Sequence, residues 1–323
     1  MWFKNLLTLT ASLTEPTPMN PLWGIDLGGT KIEGVIIENA KSPNVLARLR
    51  IPTEQEGGYT HMVQQIAKLV ALLRQETGLN PSRIGIGTPG SLDPQAQVMK
   101  NCNTTALNGM PLKKDLETAL QVPIAMANDA NCFAVAEAVL GSVPEHLPEA
   151  EVVFGVIMGT GVGGGVVVRG KVINGRQGIG GEWGHNFLDE SGGSCYCGLT
   201  GCVEKVLAGP ALEKYYKNLS GNDLHLKEIY EAYKTGNDEA ARQTMQRLTH
   251  FFGKAIASVI NILDPDAFVV GGGVGNIDLI YTEGVEVAKK YAFNTGIDRL
   301  DNLFLKPKLG DSAGVFGAAL LVA

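Results

Sequence analysis

The sequence predicts an α/β protein built from two similar halves, and three observations carry that prediction. Apolar, strand-like runs alternate along the chain with segments of helical periodicity, the pattern of sheets covered by helices. The stretch WGIDLGGTKIEGVII at 23–37 is echoed at one constant offset by FGVIMGTGVGGGVVV at 154–168, so that Gly24 matches Gly155, Gly28 matches Gly159 and Gly34 matches Gly165. The chain has 323 residues, 45% of them apolar, which is enough for two domains with cores of their own.

Each element follows from local pattern. Residues 1–20 hold one lysine and a threonine-broken apolar run, which reads as a disordered extension or a start placed upstream of Met19 rather than a secretory leader. Trp23–Leu27 and Ile32–Ile37 flank a glycine turn and predict a hairpin. Met62, Ile66, Leu69, Val70 and Leu73 recur at helical spacing, and Pro81 closes that segment before a short strand over 83–87. A strand over 122–127 leads through Asn128 and Asp129 into a helix from Ala130 to Leu140. After the second hairpin a long helical pattern runs from Asp238 to Leu263, and an apolar strand over 267–270 ends in Gly271, Gly272 and Gly273. The closing GDSAGVFGAALLVA is a glycine turn and a small-residue helix, expected to pack back on the first half. The expected division is a smaller domain of 21–127 joined by 306–323, and a larger one of 128–305.

Charge and cysteine usage narrow the partners. A net charge of −6 without a Lys/Arg cluster argues against nucleic acid, and a mean hydropathy of +0.07 argues against a membrane protein. Five cysteines, three of them within one short stretch, suit a reducing compartment such as the cytoplasm better than a disulfide framework.

Three glycine clusters, each directly after an apolar strand, are suited to a nucleotide's phosphates, because glycine admits oxygen atoms close to backbone N–H groups. The first adds a carboxylate for hydrated Mg²⁺, a hydroxyl and a lysine: Asp26, Gly28, Gly29, Thr30 and Lys31. The second offers Thr160, Gly161 and Gly163, and the third Gly272 and Gly273. Phosphoryl transfer to a hydroxyl needs a carboxylate beside the cleft, and Asp129 is the candidate, with Asn128 beside it to bond a polyol. A helix cap explains Asp129 equally well. Asp115, within KKDLE, reads as a solvated helix face. His185, Cys195, Cys197 and Cys202 offer one imidazole and three thiolates, a closed set for structural zinc, whereas the Cys-x-x-Cys of a redox pair is absent. Cys102 and Cys132 read as buried small hydrophobes.

Together DLGGTK at 26–31, NDANC at 128–132, GTGVGGG at 159–165, GEWGH at 181–185 and CYCGLTGC at 195–202 resemble, in family order, the sugar-kinase side of the ROK (repressor, open reading frame, kinase) family. The resemblance runs from about Pro21 to the end. It implies two actin-like (ribonuclease H-like) ATPase domains around a cleft, ATP held by the glycine turns, Asp129 as general base, and sugar contacts from Asn103, Asn128, Glu182, His185 and Glu204. It also implies a structural Zn²⁺ site and a homodimer. Within the family, VMKNCNTTALNGMPL at 98–112 and NILDPDAFVVGGGVGN at 261–276 are most similar to bacterial manno(fructo)kinases. The activity expected is ATP-dependent phosphorylation of a free hexose at its 6-hydroxyl, fructose first and mannose next, with glucose and N-acetylglucosamine kinases as alternatives. A sugar-responsive transcriptional regulator is the rival from another class; such members carry a helix-turn-helix domain ahead of the shared body, and only about twenty residues precede the first strand here.

Overall fold

Apolar runs broken by glycine become strands at the positions their periodicity indicates. The computed structural model describes residues 20–293 and 300–323, so the extension expected over 1–20 lies outside the described residues except for Asn20. Strands β1 (Leu22–Leu27) and β2 (Lys31–Ile37) form the first hairpin, and β3 (Val45–Pro52) continues it antiparallel. Helix α1 (Gly58–Thr77) buries Met62, Ile66, Leu69, Val70 and Leu73, then stops on Gly78 in the left-handed region. It returns the chain to β4 (Ile84–Thr88), parallel to β1. A small ribbon of β5 (Ser91–Leu92) and β6 (Met99–Lys100) and helix α2 (Leu112–Leu120) precede β7 (Ile124–Asn128), parallel to β4. Asp115 on α2 is half-buried and accepts the Tyr59 hydroxyl at 2.5 Å, so it braces α1 rather than only facing solvent.

Helices α3 (Asp129–Val139) and α4 (Ser142–His146) lead to the second hairpin, β8 (Val152–Met158) and β9 (Val162–Val168), extended by β10 (Lys171–Val172). The chain then passes through α5 (Val203–Leu207), α6 (Gly209–Ser220), α7 (Leu226–Thr235) and α8 (Glu239–Leu263) to β11 (Ala267–Gly271). Helix α9 (Glu283–Tyr291), strand β12 (Phe304–Leu305) and helix α10 (Ala313–Leu320) complete it. The first sheet is ordered β3-β2-β1-β4-β7 and the second β10-β9-β8-β11-β12, with antiparallel and parallel pairings in the same places. The internal echo is therefore a repeated sheet and not a chance likeness of two glycine turns.

One detail of the echo needs correction. Leu27 pairs with Ile32 across the first turn, but Met158 pairs with Val162 across the second, which makes the second turn one residue shorter. The counterpart of Gly34, opposite Ile25, is thus Gly164, opposite Val156; Gly165 faces the other side, against Ala130 and Ala134 of α3.

Helices α3 and α10 lie against each other between the sheets, α10 on β1 and β4, α3 on β8 and β9. Glycine permits this approach. A Cβ on Gly85 would stand 1.8 Å from the Ala318 carbonyl oxygen, and one on Gly317 would stand 1.8 Å from that of Cys132. Neither obstacle is a movable side chain. Gly317→Ala is therefore expected to cost about 3 kcal/mol, the upper part of the usual overpacking range, seen as a lower urea midpoint with an unchanged slope. Glu137, fully buried at the end of α3, accepts backbone N–H groups from Ser142 (2.9 Å), Lys308 (3.0 Å) and Leu309 (2.8 Å) and ties the C-terminal segment to this packing.

Candidate active site

The two hairpin turns and the β7–α3 junction open on one cleft. Its larger chamber, of about 1110 Å³, is lined by Asn103, Asn128, Asp129, Thr160, Gly161, Gly163, Glu182, His185 and Glu204. An adjoining chamber of about 400 Å³ is lined by Asp26, Gly28, Gly29 and Gln55. Pro89, Asn103 and Asp129 belong to both.

The junction separates the two readings of Asn128–Asp129. Asn128 is the helix cap, its Oδ1 accepting the Asn131 N–H at 2.8 Å, while its Nδ2 donates to Glu182 Oε1 at 2.9 Å. Asp129 accepts the neighbouring Ala130 N–H on Oδ1 at 2.8 Å, a local bond, and lines both chambers of the cleft. Protein crowds Asp129 at the cleft floor although solvent reaches it, and this loss of solvation pushes its carboxyl above the ordinary carboxylate value. Glu182 is raised for the same first reason, with His185 opposing. Asp26 is pushed up to about 6 by burial, then by the charges of Asp129 and Glu33, against Lys31 and Arg50.

The raised Asp26 carboxyl links stability to pH with a definite sign. Between the ordinary carboxyl value and about 6 the folded chain binds more protons at Asp26 than the unfolded chain does, so stability falls as pH rises through that window. Relative to Asp26→Asn, the natural chain is expected to lose roughly 2 kcal/mol between about pH 4 and pH 7, since each tenfold change in proton affinity is worth about 1.4 kcal/mol before solvent screening. Thermal unfolding of both chains across that range checks it.

The first turn is held by backbone: Gly28 N–H donates to the Lys31 carbonyl at 3.0 Å, and the buried Thr53 hydroxyl donates to the Gly28 carbonyl at 2.6 Å. Thr30 and Lys31 are exposed and lie outside both chambers, Lys31 acting on Asp26 through charge alone. Gly272 and Gly273 also lie off the chamber walls. They flank the second turn, with the Gly273 nitrogen 4.0 Å from where a Cβ on Gly159 would stand. A Cβ on Gly273 would meet nothing within 4 Å, so the space beside both glycines is open, as a phosphate or ribose would require. A buried carboxylate beside two like charges, as Asp26 is, likewise suits a bound Mg²⁺.

The four residues with metal-ligand chemistry converge. One donor atom from each of His185, Cys195, Cys197 and Cys202 lies within 4.8 Å of every other. His185 Nδ1 is 3.6 Å from Cys195 Sγ, and Cys197 Sγ is 3.6 Å from Cys202 Sγ. A tetrahedral ion with metal–sulfur bonds of about 2.3 Å would separate its ligands by about 3.8 Å, so the set fits Zn²⁺. The Cys202 thiol is pushed up to about 12 by burial and by the neighbouring sulfurs, an environment that favours thiolate only when a cation shares it.

Sequence reasoning missed Tyr196 and Asn108 here, and the contacts that His185 and Glu204 make. The second nitrogen of His185, Nε2, meets the Tyr196 hydroxyl at 3.1 Å, not open cleft, and the two rings stand edge to face at 5.2 Å. Glu204 reaches the second glycine turn, its Oε2 accepting the Val162 N–H at 3.1 Å. Asn108 clamps the Cys102 backbone from both sides, at 2.9 Å and 3.1 Å, and so sets the direction of Asn103. The density of asparagine over 101–108 was the available signal. Cys102 and Cys132 are buried, as their isolation suggested.

The ROK family model matches residues 22–323, and the chain belongs to the ROK family. An N-acetyl-D-glucosamine kinase of Vibrio vulnificus strain YJ016 is 34% identical over 310 residues, covering 93% of this chain and 98% of that protein. The crystal structure of a ROK hexokinase from Thermus thermophilus superimposes with a TM-score of 0.81 at 32% identity, over 93% of this chain and 97% of that one. A ROK family glucokinase from Streptomyces griseus, solved with glucose and AMPPNP, gives a TM-score of 0.71 at 27% identity, over 93% and 98%. The fold is thus the α/β fold with mixed sheets shared by ROK sugar kinases and the actin-like ATPases.

Proposed function

We propose that this protein is an ATP-dependent hexose kinase that phosphorylates the 6-hydroxyl. One observation carries the reading: the Asp129 carboxylate stands on the wall common to both chambers, one built from Asp26 and the first glycine turn, the other from hydrogen-bonding side chains suited to a polyol. Asn103, Asn128, Glu182 and Glu204 orient the sugar in the larger chamber, and His185 joins them once a sugar hydroxyl replaces that of Tyr196 on its Nε2. Asp129 then takes the proton of the hydroxyl that faces the nucleotide. Asp26 would hold Mg²⁺, which supplies charge neutralisation at the phosphates, and amides of the two turns would bond phosphate oxygens. The His185–Cys195–Cys197–Cys202 set would hold structural Zn²⁺ and fix the loop that brings His185 and Glu204 to the sugar. Residues 21–127 with 306–323, and 128–305, are the two domains proposed to close on the substrates and exclude water.

Fructose, with mannose next, is the proposed acceptor on the strength of the segments at 98–112 and 261–276. The N-acetylglucosamine kinases and glucokinase among the relatives favour N-acetylglucosamine or glucose as the second reading. Comparing kcat/KM for fructose, mannose, glucose and N-acetylglucosamine decides between them; a preference of about 10-fold for one sugar is the size that a single net hydrogen bond provides. Among the described residues no helix is long and apolar enough to cross a membrane. A cytoplasmic homodimer is the proposed setting.

A further inference from the structure

Glu204 occupies a position that sugar binding alone does not explain. Its Oε2 accepts the Val162 N–H at 3.1 Å, the first amide beyond the second glycine turn, and lies 2.7 Å from where a Cβ on Gly161 would stand. A carboxylate oxygen seated on a turn amide has the charge and the acceptor geometry of a phosphate oxygen. Two anions cannot share one N–H in a crowded cleft without strong repulsion. The segment ahead of the cysteines packs on β9 just beyond this turn, where the Trp183 indole N–H donates to the Gly163 carbonyl at 2.9 Å.

We infer that Glu204 masks the phosphate turn in the sugar-free protein and that the sugar unmasks it. This rests on the kinase reading above. Hexose hydroxyls in the larger chamber offer Glu204 alternative donors; once its carboxylate turns to them, the Val162 amide and the space over Gly161 are free for a phosphate oxygen. Sugar and nucleotide then bind with positive coupling, which is reciprocal, and ATP is poorly held, hence poorly hydrolysed, until an acceptor is in place. Glu204 is in this respect a positioning residue that links the two chambers.

The test is the affinity for Mg·ADP by titration calorimetry, with and without saturating hexose, for the natural chain, Glu204→Ala and Glu204→Gln. Without sugar, Glu204→Ala is expected to bind about ten-fold more tightly, the worth of one charge-assisted hydrogen bond no longer in competition. Glu204→Gln, which keeps an acceptor for Val162 but loses the charge, falls between. Added hexose tightens Mg·ADP binding to the natural chain and leaves Glu204→Ala unchanged. Equal sugar-free affinity in the natural chain and Glu204→Ala would overturn the inference. So would equal tightening by hexose in the natural chain and Glu204→Ala, because the coupling then runs without Glu204. Nucleotide binding that follows the expected pattern in a protein inactive on every hexose would remove the kinase reading and leave the masking intact. No Mg·ADP binding to any of the three chains would remove both.

Discussion

Asp129→Asn is expected to lower kcat by about 10²- to 10⁴-fold, the range of a positioned general base, while the sugar dissociation constant stays within about two-fold of the natural one. The structure makes this variant clean. Capping of α3 belongs to Asn128, so it survives the change, and an asparagine at 129 keeps an oxygen for the Ala130 N–H. What disappears is the proton acceptor on the wall between the chambers. The raised carboxyl of Asp129 adds a pH signature: the acid limb of kcat/KM in the natural enzyme lies above the ordinary carboxylate range and is absent from the variant's residual rate. Near-normal turnover in Asp129→Asn would remove the base assignment.

The second large effect concerns the loop gathered by His185, Cys195, Cys197 and Cys202. Cys202→Ser, or chelation of the natural protein, is expected to raise the sugar KM by about 10-fold or more, as loss of support around a ligand set commonly does, and to lower the melting temperature with it. The loop delivers His185, Tyr196, Leu199 and Glu204 to the larger chamber. Backbone bonds tie its base, from Leu188 N–H to the Gly201 carbonyl at 2.7 Å and from Val203 N–H to the Asn186 carbonyl at 2.9 Å, while its tip is held by short-range bonds such as that from Cys195 N–H to the Leu199 carbonyl at 2.8 Å. Asp26, Asp129 and the first turn lie outside the loop, so kcat at saturating sugar falls much less than kcat/KM. A metal-free protein with unchanged sugar KM would show that the metal acts on stability alone.

Much of this was legible in the sequence because it depends on local rules. Alternating apolar runs and glycine turns define β1, β2, β8 and β9, and helical spacing defines the face of α1 that meets the first sheet. The convergence of His185 with three cysteines followed from residue type and spacing. Features that depend on contacts across the chain were not legible. The missing residue in the second turn shifts the repeat between Gly34 and Gly164, which only strand pairing reveals. The close approach of Gly85 and Gly317 to carbonyls of distant segments, the reach of Glu204 to Val162, and the Tyr196–His185 bond join residues whose types suggest nothing of the partner. Thr30, Lys31, Gly272 and Gly273 belong to motifs that do reach the cleft region, yet they lie one step back from its walls, since a motif marks a turn without saying which of its residues face inward.

The most direct test of the central proposal is to follow ADP release and sugar phosphorylation together, with Mg·ATP and each free hexose, by a coupled assay and by NMR of the product. The expected result is ADP formed only when a suitable hexose is present, in equal amount to a hexose 6-phosphate. ADP released without sugar phosphate, or no ADP with any hexose, would contradict it.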